Sequence, residues 1–375
     1  MDAELNGVEL RSLITDEGKL IISLDPVTIG KPGPGEIVVR VEAAPINPSD
    51  LGLMFGPADV MSLKAGGTPD CPRLEADLAT SRLPLVKARI GQAQPVGNEG
   101  AGTVVQAGAG AEQLMGRTVA MVGGGMYATY RKIAAKDAIA LPEGATAAEG
   151  AALFVNPLTA LGFVETMRAE GHSAIVHTAA ASNLGQMLVR ICRDDAVPLV
   201  NIVRSEAQAE LLRQIGADHI VDSSAPDFRG KLVQAIAATG ATIGFDAIGG
   251  GEMAGEILNA MEAVAQKDLA EYSRYGSEVM KQVYVYGMLD PAPITLVRRF
   301  GFTWNVGGWL LFPFLKKAGP EILARMRRRV VEERNTTFAS HYTATISLAD
   351  ALNPEIASAY ERKATGQKYL IDPNR

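Results

Sequence analysis

Hydrophobic and polar residues alternate along the first part of the chain with the two-residue period of a half-buried strand. The run GEIVVRVEAAPIN from Gly35 has this alternation, and GRTVAMVGGG at Gly116–Gly125 is a further apolar run that ends in glycines. Turn residues separate short runs of this kind throughout residues 1–150. Alternating runs bounded by turns are typical of strands, so this region is predicted to be a β-rich domain.

Near Ala147 the apolar residues change to helical spacing. The segment AAEGAALFVNPLTALGFVETMRAEG shows this spacing and is interrupted by Pro157. Beyond it, helical patterns such as SEAQAELLRQIG separate apolar runs typical of buried strands, namely SAIVHTA, PLVNIV, HIVD, TIGFDAI and QVYVYG. Strands that alternate with helices predict a parallel sheet covered on both faces, and hence an α/β fold.

The end of the chain is predicted to return to the first domain. After Trp309 comes a charged helical pattern, EILARMRRRVVEE, and the chain closes with HYTATISLADAL and ERKATGQKYLI. The last run ends in a predicted strand that could pair with the N-terminal domain.

Composition and charge restrict the class of partner. The 375 residues carry a formal charge of -6, which gives no cationic field for nucleic acid, so small molecules are the expected partners. Two cysteines, Cys71 and Cys192, in a chain of this size predict a reducing compartment, and the cytoplasm is expected. The start MDAELNGVELRSL lacks the features of a secretory signal. The apolar segment Trp304–Leu315 is shorter than the ~20 residues of a membrane span, so we expect core or subunit contact there and no membrane role.

The clearest local chemical signal is a strand, a turn and a helix start. SAIVHT is followed by the small-residue turn Ala179–Gly185 and by the helical pattern QMLVRIC. Free backbone N–H groups and a positive helix end at such a turn suit a pyrophosphate. The G-x-G-x-x-G pattern is incomplete, because Ser182 and Asn183 stand where glycines are common. An ordinary strand-to-helix turn is therefore the alternative interpretation.

The end of the next strand indicates which dinucleotide would bind. Arg204 and Ser205 follow PLVNIV about 20 residues after Gly185, where enzymes specific for NAD carry an acidic residue. A cation and a hydroxyl suit the additional phosphate of NADPH, which is the predicted cofactor. The alternative is that Arg204 is a surface arginine. Asp246, at the end of TIGFDAI, could contact the cofactor or act as a helix cap or structural acceptor.

The order of these motifs resembles the medium-chain dehydrogenase/reductase superfamily, in particular its zinc-independent quinone oxidoreductases and enoyl-thioester reductases. The resemblance covers nearly the whole chain and rests on INPSD from Ile46, VGNEGAG from Val96, MYATY from Met126, VNPLTAL from Val155, VHTAAASNLGQ, GADHIVD and FDAIGG. It implies a GroES-like β-rich catalytic domain of residues 1–150 and 312–375 and a doubly wound parallel Rossmann domain of residues 151–311 that binds NADPH. It also implies a homodimer, with Trp304–Leu315 near the contact.

By this resemblance, Asn47 and Thr159 lie near the nicotinamide and ribose, and Asn47 takes part in catalysis. An Asx turn before Pro48 is the alternative for Asn47. Gln208 replaces a lysine that is frequent in the quinone oxidoreductases, which makes Arg204 more important. The implied cofactor-binding residues are Asn47, Asn156, Thr159, Ala180, Ser182, Asn183, Leu184, Gly185, Arg204, Ser205, Gln208, Ser223, Asp246, Gly287 and Lys368.

Zinc members of the superfamily need ligands that this sequence lacks. The family cysteine would lie within Asn47–Asp50 and the family histidine at the position of Asn98, and the four histidines have no metal-site spacing. No metal is therefore expected. Catalysis without a Lewis acid favours acceptors whose reduced form is already stabilised, such as quinones and α,β-unsaturated carbonyls (enones).

Three functions remain open at this stage. Enoyl-thioester reductases carry a tyrosine about 11 positions after Asn47, where this chain has Ala58, so a quinone or enone reductase is preferred. The pairs Asn98–Glu99 and Ser182–Asn183 resemble the enoyl reductases. If a tyrosine supplies the proton, the candidates are Tyr127 and Tyr130. The third possibility is a non-catalytic dinucleotide-binding or structural protein.

Two insertions have no assigned function in the sequence. Leu51–Gln94 and Ala265–Lys281 could shape or cap the pocket. Tyr272, Arg274 and Tyr275 in the second insertion could reach a substrate, but surface-loop residues are the simpler interpretation.

Overall fold

The structure is a computed structural model that describes residues 4–68, 71–362 and 367–375. The chain divides into two compact units, one of Met1–Val155 with Arg329–Arg375 and one of Asn156–Arg328. The second boundary expected from the resemblance lies at 311, whereas this division falls at Arg328, inside a helix.

The described strands and helices follow the chain in this order. The strands are β1 Leu5–Ile14, β2 Lys19–Ile29, β3 Glu36–Pro45, β4 Asp59–Thr68, β5 Cys71–Asp77, β6 Gln94–Pro95, β7 Glu99–Ala107, β8 Thr118–Val122, β9 Tyr130–Ala134, β10 Ala138–Ala140, β11 Ile175–His177, β12 Leu199–Val203, β13 His219–Asp222, β14 Ile243–Asp246, β15 Lys281–Val285, β16 Trp304–Gly308, β17 Ala344–Ile346 and β18 Tyr369–Ile371. The α-helices are α1 Pro48–Met54, α2 Ala147–Gly150, α3 Val155–Ala169, α4 Asn183–Asp194, α5 Glu206–Gln214, α6 Phe228–Thr239, α7 Met253–Ala265, α8 Leu311–Ala318, α9 Pro320–Glu332 and α10 Pro354–Glu361.

The first unit contains two sheets. One has the order β4-β5-β2-β1-β6, and the other has the order β10-β8-β7-β3-β18-β17 with β9 also paired to β3. Buried Leu10, Val39, Val104 and Met121 belong to the core of this unit. β18 pairs antiparallel with β3, so the end of the chain does return to the first unit. The β-rich architecture predicted from the alternating runs is confirmed.

The second unit is built on one parallel sheet. Its strand order is β13-β12-β11-β14-β15-β16, and every neighbouring pair is parallel. This is the doubly wound order of a Rossmann fold, which confirms the predicted class. The carboxyl ends of β11, β12, β14 and β15 meet at one edge, where such folds bind ligands.

The two insertions have ordered parts. β4 and β5, within Leu51–Gln94, form an antiparallel pair that extends the sheet of β1 and β2. In Ala265–Lys281, the Lys281 ammonium forms a buried ion pair of 2.6 Å with Glu262. Tyr272 is 93% exposed, which agrees with the surface interpretation.

One segment passes a length and composition test for a membrane span. Ala147–Ala169 has a mean hydropathy of 1.4, but 83% of its apolar window is buried inside the protein. Burial of this kind is typical of a core helix, so the segment is weak evidence for membrane insertion.

Candidate active site

In the first unit, Asn47 lies at the centre of a buried polar network. It is the residue before α1, its side chain is 1% exposed, and its Nδ2 donates to Glu99 Oε1 at 2.8 Å. The other carboxylate oxygen, Glu99 Oε2, accepts from the backbone N–H groups of Phe154 at 2.9 Å and Val155 at 2.8 Å. Glu99 therefore joins the start of α1 to the chain segment that leads into α3.

Burial and a neighbouring cation act in opposite directions on Glu99. Removal from water raises the pKa of this carboxyl, whereas Lys368 and the three donors favour its ionised form. A buried carboxylate with this many donors fixes their positions. The arrangement orients the Asn47 amide within the network.

Asp50 supports the same region from the first turn of α1. Its Oδ2 accepts from the Asn47 backbone N–H at 2.8 Å, and its Oδ1 accepts from the Asn98 backbone N–H at 2.7 Å. The Tyr127 hydroxyl lies near this carboxylate and donates to the Pro45 carbonyl oxygen at 3.1 Å. Tyr127 is fully buried, and its hydroxyl proton is donated to the Pro45 carbonyl oxygen.

Lys368 supplies a cation beside this network. Its side chain is 9% exposed, its Nζ has no hydrogen-bond partner among the described residues, and it lies 5.7 Å from the centre of the Tyr342 ring. Burial lowers the pKa of Lys368 to about 8, although Glu99 and Asp50 favour the charged form. A buried ammonium without a hydrogen-bonded acceptor is suited to an anionic ligand group.

The titration of Asp50 gives a testable dependence of stability on pH. Burial raises the pKa of Asp50 to about 7, above the ordinary aspartate value of about 3.9. Between these two values the folded protein binds a proton that the unfolded chain releases, so the free energy of unfolding falls as the pH rises through this window. We expect Asp50→Asn to show a smaller fall, since the raised pKa of Glu99 still contributes to it. Urea unfolding from pH 4 to pH 8 measures it, and parallel curves for the two proteins would contradict the assignment.

In the second unit, the turn after β11 has the form of a dinucleotide-binding turn. Ala179 has a positive φ of 49°, and Ser182 caps α4 because its Oγ accepts from the Gly185 backbone N–H at 3.1 Å. A Cβ atom on Gly185 would overlap the Ala180 carbonyl oxygen, so this close approach requires glycine. Ala180 and Leu184 are buried, and Asn183 is half-buried.

The loop after β12 carries the residues predicted to select the cofactor. Arg204 is exposed, and its backbone N–H donates to Gln208 Oε1 at 3.0 Å. Ser205 caps α5 by accepting from the Gln208 backbone N–H. Ser223, which follows β13, donates to the Val203 carbonyl oxygen at 2.9 Å. These residues therefore cluster at the carboxyl ends of β12 and β13.

The Asp246 carboxylate accepts hydrogen bonds that fix the backbone after the end of β14. Its Oδ1 accepts from Thr178 Oγ1 at 2.7 Å and from the Ile248 backbone N–H at 2.9 Å, and its Oδ2 accepts from the Gly249 backbone N–H at 3.2 Å. Thr178 Oγ1 in turn accepts from the Ala247 backbone N–H at 2.8 Å. These bonds match the structural-acceptor interpretation of Asp246.

A cavity of about 420 Å³ lies beyond the ends of β15 and β16. Gly287 lines it, and a Cβ atom there would approach the Ala247 carbonyl oxygen to 2.5 Å, so this position requires glycine. Aromatic and apolar side chains supply much of the remaining wall, from Tyr286, Met288, Trp309, Leu310 and Pro313. The cavity is suited to a flat, partly apolar group.

The remaining predicted residues lie apart from these clusters within their units. Asn156 and Thr159 are buried on α3 in the second unit. Tyr130 is half-buried at the start of β9, where it pairs with Arg40 of β3.

Comparison with known proteins agrees with the strand order and the returning chain end. No family model matches the chain. A putative NADPH:quinone reductase from Mesorhizobium loti aligns over 100% of both chains, with a TM-score of 0.73 and 25% identity. The resemblance to the medium-chain dehydrogenase/reductase superfamily is confirmed.

Curated proteins that are similar to this chain include both expected types of enzyme. It is 28% identical to the mitochondrial enoyl-[acyl-carrier-protein] reductase of Xenopus tropicalis over 211 residues, which are 54% of this chain and 52% of that protein. It is 33% identical to a probable quinone oxidoreductase of Leishmania amazonensis over 159 residues, 41% of this chain and 45% of that protein. The matches thus span about half the length of these two relatives.

Two central residues of the polar network, Glu99 and Asp50, are not among the residues that the sequence predicts for the site. Glu99 and Asp50 lie inside the motifs VGNEGAG and INPSD, yet neither was selected. The sequence signal for both residues is an acidic residue among small or apolar neighbours. A carboxylate in such surroundings is rarely buried without hydrogen-bond or ion-pair partners.

Proposed function

We propose that this chain is an NADPH-dependent reductase that transfers a hydride to a small quinone or α,β-unsaturated carbonyl without zinc. The observation that carries the proposal is the placement of exposed Arg204 and half-buried Ser205 at the end of β12, on the same sheet edge as the Ala179–Gly185 turn. In this proposal the first unit provides the acceptor side and the second unit binds the cofactor.

Residues of the second unit suit the proposed cofactor. The turn Ala180–Gly185 would hold the pyrophosphate with backbone N–H groups, and Arg204, Ser205, Gln208 and Ser223 would bind the adenosine phosphate. When bound, NADPH would supply the hydride. The ring that carries the hydride would lie in the cavity lined by Gly287, Tyr286 and Trp309.

The other assigned residues complete this binding set. Lys368 would bind an anionic group of the cofactor, because its buried ammonium has no hydrogen-bonded acceptor in the part of the chain that the structure describes. By the family resemblance, Asn47 and Thr159 would lie near the nicotinamide and ribose, Asn156 would contact the cofactor, and Asp246 would shape the turn that follows β14. These assignments extend the resemblance residue by residue.

Asn47 is the proposed catalytic positioning group. Reduction of a quinone or enone leaves an oxyanion or enolate, which hydrogen-bond donors stabilise. The bond from Asn47 to Glu99 fixes the orientation of the amide, and water can complete protonation. Tyr127 and Tyr130 remain candidate acids, but the buried hydroxyl of Tyr127 already donates to Pro45.

A second candidate function is 2-enoyl-thioester reduction. The match to the mitochondrial enoyl reductase favours it, as do Asn98–Glu99 and Ser182–Asn183. Ala58 at the expected tyrosine position favours the quinone or enone reductase instead. Oxidation of NADPH against quinones, enones and enoyl thioesters tests this choice. Binding of NADPH without oxidation by any of these acceptors would favour a non-catalytic dinucleotide-binding protein.

We expect the purified protein to contain no stoichiometric zinc and to keep its activity in chelator. Among the described residues, no group of three histidine, cysteine, aspartate or glutamate side chains could hold a metal ion. Elemental analysis before and after chelation measures this. One zinc per chain, lost together with activity, would require a Lewis-acid mechanism.

A cytoplasmic homodimer is the proposed state. Cys71 and Cys192 are the two cysteines of the 375-residue sequence, and so low a cysteine content suits a reducing compartment. β16 is the last strand of its sheet, and Phe312 just beyond it is 57% exposed. An open strand edge beside exposed apolar residues favours pairing with a second copy. Sedimentation should give a dimer at micromolar concentration, and a stable monomer there would contradict this.

A further inference from the structure

A hydrogen-bonded side-chain pair, of fully buried His177 and half-buried Tyr286, joins two strand ends beside the cavity. His177 closes β11 and is fully buried, and its Nε2 lies 2.8 Å from the hydroxyl oxygen of Tyr286, immediately after β15. These residues lie 109 positions apart in the sequence. Since β14 lies between β11 and β15, the hydrogen bond crosses the central strand at the ligand-binding edge.

The pair is uncharged and held on several sides. Burial lowers the pKa of His177 to about 3 and raises that of Tyr286, so both side chains are neutral. Either histidine tautomer keeps the contact, because a tyrosine hydroxyl both donates and accepts. The Phe163 ring lies 4.7 Å from the Tyr286 ring, and Trp309 lies 4.8 Å from Phe163.

Tyr286 therefore has two different surroundings. Its hydroxyl points inward to His177, whereas the residue lines the cavity together with Gly287. On the other side of the pair, His177 directly precedes Thr178, which anchors Asp246 and the Ala247 backbone. The hydrogen bond thus links the start of the Ala179–Gly185 turn to the cavity wall.

We propose that His177 and Tyr286 are positioning residues that fix the plane of the nicotinamide ring in this cavity. The inference rests on the proposed function, since it needs NADPH as the ligand. With the hydrogen bond intact, the ring of Tyr286 is held between Phe163 and the cavity. Without this hydrogen bond, the cavity wall at Tyr286 can shift while the turn that would hold the pyrophosphate stays in place. The alignment of the nicotinamide ring is therefore lost, whereas the affinity for NADPH is largely kept.

The test compares Tyr286→Phe with Tyr284→Phe in the full-length protein. Tyr284 lies two residues earlier, and its hydroxyl donates to Glu170 Oε1 at 2.7 Å, so the control also loses one tyrosine hydrogen bond. The measurements are kcat with a quinone, the NADPH dissociation constant, the primary isotope effect with NADPH deuterated at the transferred position, and the emission spectrum of bound NADPH.

We expect Tyr286→Phe to lower kcat about 10-fold, because small misplacements of reacting groups are costly. Its isotope effect should rise, its NADPH affinity should stay within about threefold, and Tyr284→Phe should match the wild type. His177→Phe should reproduce the Tyr286→Phe result. Unchanged kcat and isotope effect in Tyr286→Phe, or equal losses in Tyr284→Phe, would overturn the positioning role.

Failure of the proposed function gives a different result. If none of the acceptors supports NADPH oxidation by the wild type, the reductase assignment fails. The emission spectrum of bound NADPH then decides alone whether His177 and Tyr286 position the nicotinamide ring. A changed spectrum in Tyr286→Phe but not in Tyr284→Phe would support the positioning role. Identical spectra, or a wild type that binds no NADPH, would overturn it.

Discussion

Arg204→Glu should reverse the cofactor preference from NADPH to NADH. Arg204 is exposed at the end of β12, beside Ser205, and a guanidinium there can form charge-assisted hydrogen bonds with the additional phosphate of NADPH. Hydrogen bonds to charged groups contribute about 1.5–3 kcal/mol, so NADPH should bind at least ~10-fold more weakly to the variant. The introduced carboxylate can bind the ribose hydroxyls of NADH. Fluorescence titration with both cofactors measures the change.

Arg298→Glu is a matched control for this substitution. Arg298 is also an exposed arginine of the second unit, but it precedes the amino end of β16, so the control makes the same charge change away from the ligand edge. Its cofactor preference should equal that of the wild type. A wild type that favours NADH, or an Arg204→Glu variant with unchanged NADPH affinity, would show that Arg204 is a surface residue.

Local signals in the sequence were sufficient to predict the parallel sheet of the second unit and the turn after β11. The alternation of strands and helices predicted the parallel sheet, and the small-residue turn marked the end of β11. The structure also shows how the incomplete glycine pattern is accommodated. Ser182 caps α4, Asn183 is the first residue of that helix, and Ala179 adopts a positive φ, so the turn forms with no glycine before Gly185.

The buried polar contacts could not be predicted, because they join distant parts of the chain. The Asn47–Glu99 bond spans 52 positions and the His177–Tyr286 contact spans 109. Periodicity identifies which face of an element is buried, but it does not say which polar groups meet there. Asn47 was selected through a motif and Glu99 was not, although each is the hydrogen-bond partner of the other.

Asn47→Ala should lower kcat/KM by about 10² to 10³, which is the usual loss when a group that stabilises developing charge is removed. The variant should also be less stable, since Glu99 Oε1 loses the donor it has at 2.8 Å and an unsatisfied buried acceptor costs ~1–3 kcal/mol. Steady-state kinetics with a quinone and urea unfolding separate these two effects.

Asn353→Ala is the control for the loss of stability. Asn353 is also an asparagine that precedes a proline at a helix start in the first unit, and its Oδ1 accepts from the Glu355 backbone N–H at 2.9 Å. Its removal should cost about 1 kcal/mol of stability and leave turnover unchanged. Equal losses of activity in both variants would show that Asn47 acts only as a helix cap.

The tyrosine variants decide whether solvent or a side chain supplies the proton. Tyr127→Phe removes a buried donor to the Pro45 carbonyl, and Tyr130→Phe alters a half-buried strand residue, so both should lower stability more than quinone turnover. Enoyl thioesters should be poor acceptors, because Ala58 stands where the enoyl reductases carry their tyrosine. An enzyme that reduces enoyl thioesters far faster than quinones, and loses that activity in either variant, would have a tyrosine acid on a different strand. The enoyl-thioester reductase would then be the correct assignment, with Asn47 and Glu99 still holding the site in place.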